Sequence, residues 1–427
     1  MSALHAEVIV VGGGPAGVAA AIELRRSGVG KVIILDREPY LGGATRHCSH
    51  SPFGMREFGR VYFGAAYGRR LEREAAMAGV DVRTGHSVVS IEEDARLLVS
   101  SHQGVEVLSA RRIMLSSGAR ETPRSARLIS GDRPLGVVTT GTLQSYIAFH
   151  GLMPFRRPLI VGSELVSLSA ALTCVMHGAR PVAMIERRPH PVVRQPLSWF
   201  PRLMGIPFLL NAEIVDIFGR ERVEAVAVRT EAGIETWACD GVLLTGQFTP
   251  ESSLFLQSAM GVDAASAGPA VDQDGRSVNP LFFAGGNVLR AVETGGWAFR
   301  EGRAVGAAIA ADLSRDPASA EWVAIGLCDP LKLVVPSLLR RGGIATAAFQ
   351  QFQLRFVRRA HGRLSLELDE QEVWSRDGQW MPERRVLVPI PPSAPLATKI
   401  QFRFRENSKD ARRGDRPGND IDPLSRR

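Results

Sequence analysis

Val8-Ile9-Val10-Val11-Gly12-Gly13-Gly14-Pro15-Ala16-Gly17 is the stretch that decides the fold. Four apolar, mostly β-branched residues predict a buried strand, and the strand runs without a break into a glycine turn that opens an apolar helix through Leu24. Gly12, Gly14 and Gly17 have the G-x-G-x-x-G spacing, with Pro15 and Ala16 between the last two. In that pattern the first glycine makes the tight turn, the second lets backbone approach a pyrophosphate, and the third lets helix pack on strand. Phosphate oxygens then sit at the helix N-terminus, where backbone N–H groups point outward. A second apolar strand, Val32-Ile33-Ile34-Leu35, ends in Asp36, 24 residues after Gly12 and placed to hydrogen-bond a ribose hydroxyl. A glycine turn alone is a weak signal. Joined to its strand, helix, second strand and acid, it predicts a dinucleotide site in an α/β domain.

The chain has 427 residues, long enough for two or three domains, and its formal charge is +8. The positive residues are mostly scattered arginines without a compact basic block, so nucleic acid is not implied and the charge reads as a mild preference for acidic partners or ligands. Four cysteines, Cys48, Cys174, Cys239 and Cys328, stand far apart without a C-x-x-C pair. That spacing argues against a disulfide scaffold and against a metal or iron-sulfur site, and it fits a reducing cytoplasm. The first strand begins within a few residues of Met1, which leaves no room for a signal segment, and no apolar run approaches the roughly 20 residues of a spanning helix.

After Asp36, Arg37 to Gly43 carries paired glycines that would again bring backbone close to a long ligand. Arg46 to Gly54 concentrates His47, Cys48 and His50 in a loop, and Met55 to Met77 follows with arginines, aromatics and alanines at helical spacing. A metal, a nucleophilic thiol or a polar loop lining a cofactor or partner surface are the readings of that loop; the sequence offers no third or fourth ligand in reach, which favours the last. Short strand-like segments from Val82 to Leu115, Val88 among them, form a small meander that ends in Ser116-Ser117-Gly118-Ala119, a turn that allows close approach to a ligand across the strand ends. Thr122 to Met153 reads as a connection around the amphipathic piece Thr139 to His150.

The opening design then repeats. Leu159-Ile160-Val161 predicts a strand, Gly162 a turn, Leu165 to His177 a helix, and Pro181 to Ile185 a second strand ending in Glu186, again 24 residues after the turn glycine. Glu164 and Ser167 stand where the first copy has Gly14 and Gly17. A glutamate there adds bulk and negative charge beside a pyrophosphate, which argues against ordinary dinucleotide binding, while Glu186 for a ribose and Arg187-Arg188 for a phosphate keep an NAD(P) site at Gly162, Glu186 and Arg187 open as the alternative. Later, Leu281 to Asn287 predicts a strand running into a glycine turn, and Thr294-Gly295-Gly296 opens a helix through Leu313 whose N-terminus offers free N–H groups and positive partial charge to an electron-rich ring. Alternating segments between Gln351 and Pro389 predict a β unit, and Arg405 to Arg427 has the composition of a disordered tail.

These motifs resemble the two-dinucleotide-domain flavoproteins, the pyridine nucleotide-disulfide oxidoreductase superfamily. Gly12 to Gly17 with Asp36 is similar to its FAD motif, Ser117-Gly118 to its strand-end turn, which usually reads Ala-Thr-Gly, and Ala284-Gly285-Gly286-Asn287 to its second FAD motif, which usually has aspartate at the last position. Arg46 to Phe58, Gly131 to Val137, Val161 to Ser167 and Gly286-Asn287-Val288-Leu289-Arg290 further resemble FAD subunits of multicomponent bacterial dehydrogenases: those of opine oxidase (its A subunit), of hydrogen cyanide synthase (its B subunit), and of dye-linked proline dehydrogenase (its α subunit). The resemblance implies an α/β fold of two tandem Rossmann-like dinucleotide-binding domains, the second inserted in the first, plus a small C-terminal β-rich unit. The expected division is 1–122 with 247–315 for FAD, 123–246 for the NAD(P)-binding-like domain with its degenerate glycine motif, 316–404 for the β unit and 405–427 for the tail.

The implied cofactor is FAD, held by Gly12, Gly14, Pro15, Ala16, Gly17, Asp36, Arg37, Gly43, Val88, Ser117, Gly118, Gly286, Asn287, Thr294, Gly295 and Gly296. The implied partners are a second flavoprotein subunit that oxidises an amino acid or opine-like amine and a separate iron-sulfur subunit, since this chain lacks the cysteine-rich segment that many such subunits carry. Two other functions stay open: a free-standing NAD(P)H-dependent reductase of a small acceptor, and a non-catalytic scaffold that holds flavin or partner subunits. Disulfide exchange is disfavoured because Cys48 has no partner cysteine nearby. No catalytic base is named by the sequence; His47, Cys48 and His50 are the candidates.

Overall fold

The opening run folds as strand β1 (Ala6–Val11), buried at Val8, Ile9 and Val10 on both faces, followed by helix α1 (Pro15–Arg26) and strand β2 (Val32–Asp36). Burial on both faces is why β1 is continuously apolar instead of alternating: it lies between two parallel neighbours. Helix α1 is buried along most of its circumference and stops at Gly28, whose φ of 87° lets the chain reverse after the last turn. The computed structural model describes residues 5–48, 52–291, 293–315, 321–341, 347–382 and 384–407. His50 and most of the expected tail lie outside them, while Arg405 and Glu406 complete a strand.

Next come a 3₁₀ turn (Gly43–His47), α2 (Met55–Phe58) and α3 (Gly64–Met77), so the helical spacing from Met55 to Met77 belongs to two helices. Strands β3 (Asp81–Thr84), β4 (Ser87–Glu92), β5 (Arg96–Ser101) and β6 (Gly104–Leu115) follow. Two details differ from the expected meander. β3 pairs parallel with β2 in the main sheet, and β6 is one 12-residue strand whose first half pairs antiparallel with β5 while its second half pairs parallel with β1. Arg111 and Arg112 interrupt the apolar run in sequence without interrupting the strand. Arg112 is buried and its Nε donates to Asp312 at 2.6 Å, so its charge is matched in place.

A short strand β7 (Ala119–Glu121) leads to β8 (Val137–Thr139), α4 (Thr140–His150), β9 (Pro158–Val161), α5 (Leu165–Met176), β10 (Ala183–Glu186), α6 (Phe200–Leu203), β11 (Phe208–Leu210) and the meander β12 (Glu213–Phe218), β13 (Ala225–Thr230) and β14 (Gly233–Ala238). β15 (Gly241–Leu244) closes a second parallel sheet in the order β11-β10-β9-β15-β8. Then β16 (Phe248–Pro250) pairs antiparallel with β7, so the chain leaves and re-enters the first sheet through two adjacent strands. After α7 (Ser253–Leu256), β17 (Phe282–Ala284) adds to the first sheet in parallel with β6, giving seven strands in all, and α8 (Gly295–Asp312) lies along α1.

That helix pair is built on small residues. A Cβ added at Gly302 would run into the carbonyl oxygen of Ala16, and one at Gly306 would lie 2.7 Å from that of Ala20. The two backbones therefore touch, which only glycine permits.

Among the described residues, those of 5–315 with 347–350 form one compact unit, and those of 321–341 with 351–407 form another. The second unit holds two sheets, in the orders β20-β18-β25-β22-β23 and β19-β21-β24, made from β18 (Trp322–Gly326), β19 (Leu331–Val335), β20 (Leu338–Arg340), β21 (Gln351–Phe356), β22 (Ala360–Leu368), β23 (Gln371–Trp380), β24 (Val386–Pro389) and β25 (Ile400–Glu406). Their side chains share one core, in which Phe356 stacks on Trp380 with centroids 5.3 Å apart and Phe352 meets Phe402 edge-on at the same distance. No helix among the described residues is long and apolar enough to cross a membrane.

Candidate functional site: two uncapped helix ends

At the end of β1, Gly12 has φ of 101°, and an added Cβ would lie 2.5 Å from the carbonyl oxygen of Ser116. A Cβ at Gly17 would collide with the carbonyl oxygen of Gly12. These two glycines are required by the protein itself. Gly14 is different: an added Cβ there has nothing within 4 Å, so the glycine keeps open space that packing does not need. No side chain caps the N-terminus of α1, and Pro15 occupies its first turn. Asp36 is buried beside this turn, its Oδ2 accepting from the Gly13 N–H at 2.6 Å and its Oδ1 from the Glu38 N–H at 2.8 Å, and burial raises its pKa despite both bonds. Gly42 donates its N–H to the carbonyl of Gly13 at 2.8 Å, and a Cβ on Gly43 would come within 3.1 Å of the Gly14 Cα. The His86 N–H bonds the carbonyl of Asp36 at 2.9 Å, which brings the start of Val88's strand to the end of β2. Arg37 points outward beside Glu38.

The second wall comes from β6, β17 and α8. Ser116 Oγ donates toward the carbonyls of Val11 and Gly12 at 3.0 and 2.9 Å, Ser117 Oγ donates to Glu251 at 2.7 Å, and Gly118, with φ of 81°, faces open space. Gly286 has φ of 84°, and a Cβ there would meet the Ala16 Cβ at 2.7 Å. Its N–H donates to Glu301 Oε1 at 2.7 Å, and Glu301 in turn holds the buried guanidinium of Arg290 with its Oε2 2.5 Å from Nη2. Asn287 spends both ends of its amide locally: Oδ1 accepts from the Glu293 N–H at 2.7 Å and Nδ2 donates to the Glu293 carbonyl at 3.2 Å. Thr294 precedes α8 without a side-chain cap, and a Cβ on Gly295 would stand 3.5 Å from the Phe53 ring and 3.8 Å from Thr45 Cγ2. The 3₁₀ turn thus runs from the start of α1, at Gly43, to the start of α8, at Thr45.

The second parallel sheet repeats this path with a different ending. Gly162 keeps φ of 115° and its N–H bonds the Ile185 carbonyl at 2.8 Å. Glu186 accepts from Ser163 Oγ at 2.5 Å and from the Arg188 N–H at 3.0 Å. At the N-terminus of α5, however, Glu164 forms a capping box with Ser167, whose Oγ accepts from the Glu164 N–H at 3.0 Å. The Glu164 carboxylate fills the space a Cβ at Gly246 would need, and Arg127 lies across the ends of the strands, donating to the carbonyls of Thr122, Thr245 and Gly246 at 2.8 to 3.1 Å. Arg187 is exposed.

The pyridine nucleotide-disulphide oxidoreductase model matches residues 6–302. The chain belongs to that family. Among curated relatives, the opine oxidase A subunit of Agrobacterium tumefaciens is 26% identical over 66% of this chain and 61% of its own length. The sarcosine oxidase alpha subunit of Rhizobium meliloti is 27% identical over 58% and 25%, and the hydrogen cyanide synthase subunit HcnB of Pseudomonas aeruginosa is 30% identical over 40% and 36%. The chain therefore spans less than two thirds of the length of these relatives. In fold it is similar to T. acidophilum thioredoxin reductase (TM-score 0.60, 22% identity, 72% of this chain and 99% of that one) and to L-proline dehydrogenase from P. horikoshii (TM-score 0.52, 17%, 73% and 56%). The protein is an FAD-dependent oxidoreductase of this family. The open space at Gly14 and the uncapped starts of α1 and α8 fit the pyrophosphate and the ring of that cofactor.

For a family named after disulphide chemistry, the first cysteine of this chain is held in its neutral form. Cys48 is a free cysteine whose Sγ donates to the Ala44 carbonyl at 3.3 Å and lies 3.8 Å from Gln144 Oε1; burial, reinforced by Glu121, pushes the thiol up to about 12. A thiol held neutral is a poor nucleophile. His47 is also neutral, pushed down to about 4 by burial and by Arg46, and its ring meets Phe149 edge-on at 6.5 Å. Both pack near Glu121, which no sequence signal singled out. Its Oε2 accepts the Gly141 N–H in the first turn of α4 at 2.7 Å, and burial raises its pKa. The hydroxyls of Thr139 and Thr140 face the same carboxylate and oppose that rise. The signal available was position: an acid three residues past Gly118, on the strand that carries the chain out of the first sheet. Among the described residues no cluster of three His, Cys, Asp or Glu side chains can hold a metal.

Proposed function

We propose that this chain is the FAD-bearing subunit of a cytoplasmic multicomponent dehydrogenase acting on an amino acid or an opine-like amine, and that it exchanges electrons with a second flavoprotein subunit. The observation that carries the reading is the contrast between the two helix starts: α1 is left open at Gly14, whereas α5 is closed by Glu164. With α5 closed by Glu164 and the Cys48 thiol held neutral, neither a nicotinamide at the second sheet nor thiol exchange at Cys48 is favoured as the electron route, which supports exchange with another protein. The names of the relatives, oxidase and synthase subunits, support this reading.

The bound flavin would supply the redox step at its N5 position. This chain's residues would hold it: Gly12 to Gly17 at the pyrophosphate, Asp36 at the adenosine ribose, with Arg37 and Val88 beside the adenosine half, Gly43 with Ser117 and Gly118 along the middle, and Gly286, Asn287, Thr294, Gly295 and Gly296 at the ring end. The positive end of α8 would favour negative charge on that ring. Any iron-sulfur relay would belong to another subunit.

Anaerobic titration of the purified chain with NADH and then NADPH tests the reading. The flavin spectrum is expected to stay unchanged with both; rapid bleaching by either would replace it with a free-standing NAD(P)H-dependent reductase. Full turnover by the assembled complex after FAD binding has been abolished would instead make the chain a scaffold.

A further inference from the structure

The outer sides of α2, α3 and the first turns of α8 form a basic and apolar face that the FAD cradle does not use. Arg56 and Arg300 both lie over the ring of Trp297, 5.2 and 5.7 Å from its centroid. Phe58 joins the three helices, 5.7 Å from Phe299 and 6.0 Å from Tyr67, with the Arg70 guanidinium 5.2 Å from its centroid. Around this framework Met55, Val61 and Phe63 are 59, 56 and 63% exposed. Arg56, Arg60 and Arg300 are exposed too, and among the described residues none of them meets a carboxylate. The nearby acids are engaged elsewhere: Glu57 takes the Tyr67 hydroxyl at 2.7 Å, Glu74 pairs with Arg70, and Glu293 and Glu301 face the buried Arg290.

Exposed apolar side chains set among cations mark an interaction surface. Tryptophan, methionine and arginine are the residues that protein interfaces favour. A second copy of this chain would bring like charges together, on a molecule whose formal charge is already +8. A polyanion would meet the arginines but leave Met55, Val61 and Phe63 in water. The location matters as well: Arg56 Cδ lies 3.4 Å from the place a Cβ on Gly296 would take, so a protein seated here stands over the start of α8.

We propose that this face docks an acidic surface of the second flavoprotein subunit, with Arg56, Arg60 and Arg300 as its charged contacts and Met55 and Phe63 as its apolar ones. The proposal rests on the subunit reading above. The test uses the full chain, tagged and purified with its FAD from its native cells, beside the triple variant Arg56→Glu/Arg60→Glu/Arg300→Glu and the double variant Met55→Ser/Phe63→Ser. Flavin content and thermal midpoint of each tagged chain report on folding. The unmodified chain is expected to hold, near one to one, an acidic protein that carries its own flavin and leaves at high salt. The triple variant should bind it at least 100-fold more weakly, and the double variant about 10-fold more weakly, each with flavin content unchanged. Retention of that same protein by the triple variant with the same salt response would overturn the docking surface while leaving the subunit reading standing. An unmodified chain that holds no flavoprotein, or holds nucleic acid instead, would overturn both. If the triple variant loses its flavin, the double variant decides, since it leaves the charges in place.

Discussion

Two stretches of this chain, Val8 to Asp36 and Leu159 to Glu186, follow the same backbone path and end in an acid at the same place, yet they differ where a ligand would lie. In the first, a side chain at Gly14 would meet nothing within 4 Å and the helix start is bare; in the second, Glu164 caps its own helix and Arg127 covers the strand ends. The turn glycines Gly12 and Gly162 are kept in both, because a positive φ and close backbone demand them whether or not anything binds. The lesson is that the fold's requirements and the ligand's requirements fall on different glycines, and only the latter report on function.

The comparison breaks most severely at Gly17. Gly17→Val is expected to lose FAD entirely and to cost several kcal/mol of stability, because the branched side chain must displace the Gly12 carbonyl; flavin absorbance and a denaturation midpoint read both effects. A valine variant that keeps its flavin would show that α1 can slide on β1. Transplanting the second copy's residue, Gly14→Glu, should leave the thermal midpoint within a few degrees and weaken FAD binding by about 100-fold, or roughly 2.7 kcal/mol. Loss of folding there would mean that Gly14 serves packing after all.

A pH series examines the turn that joins α1 to α8. Because the neutral form of His47 is favoured in the fold, its contribution is unchanged above pH 6.5 and is lost as the pH falls from 6.5 toward 4, where the unfolded chain takes up a proton that the folded chain refuses. His47→Gln should flatten the stability profile across that window by up to about 3 kcal/mol, as seen in denaturant titrations at pH 7 and pH 4.5. The mildest change is Glu164→Ala. It should cost about 1 kcal/mol as the capping box is lost, and it should bring NADH binding into the range of fluorescence titration. A variant without any nicotinamide affinity would put the obstruction on Arg127.

Much of this is legible in the sequence. The strand-turn-helix at Val8, the acid at Asp36, the repeat beginning at Leu159 and the place of Glu164 at the start of α5 follow from local spacing, which is the kind of information a sequence carries directly. What escapes depends on contacts between residues far apart. Glu121 becomes notable only when β7 brings it under α4, and Arg127 only when it reaches Thr245 and Gly246. Asn287, expected to help hold the cofactor as the last residue of the second FAD motif, has both ends of its amide engaged with the Glu293 backbone, a loop closure that no motif describes. β6 reads as two strands in sequence because Arg112 looks like a break until its partner Asp312, 200 residues away, is known. In the second unit β18, β19 and β20 give no clear signal, being only three to five residues long, while β25 is obscured by the charged run into which its last residues lead.

The glycine crossing of α1 and α8 acts as a gauge block. Gly302 lies seven residues, about 10 Å, from the start of α8, and it sets the separation of the two helix starts by backbone against backbone, without any side chain whose rotamer could change it. One methyl group added at position 302 would push the helices apart and shift both ends of the cradle together, so a residue that touches no ligand would carry the cofactor's tolerance for length.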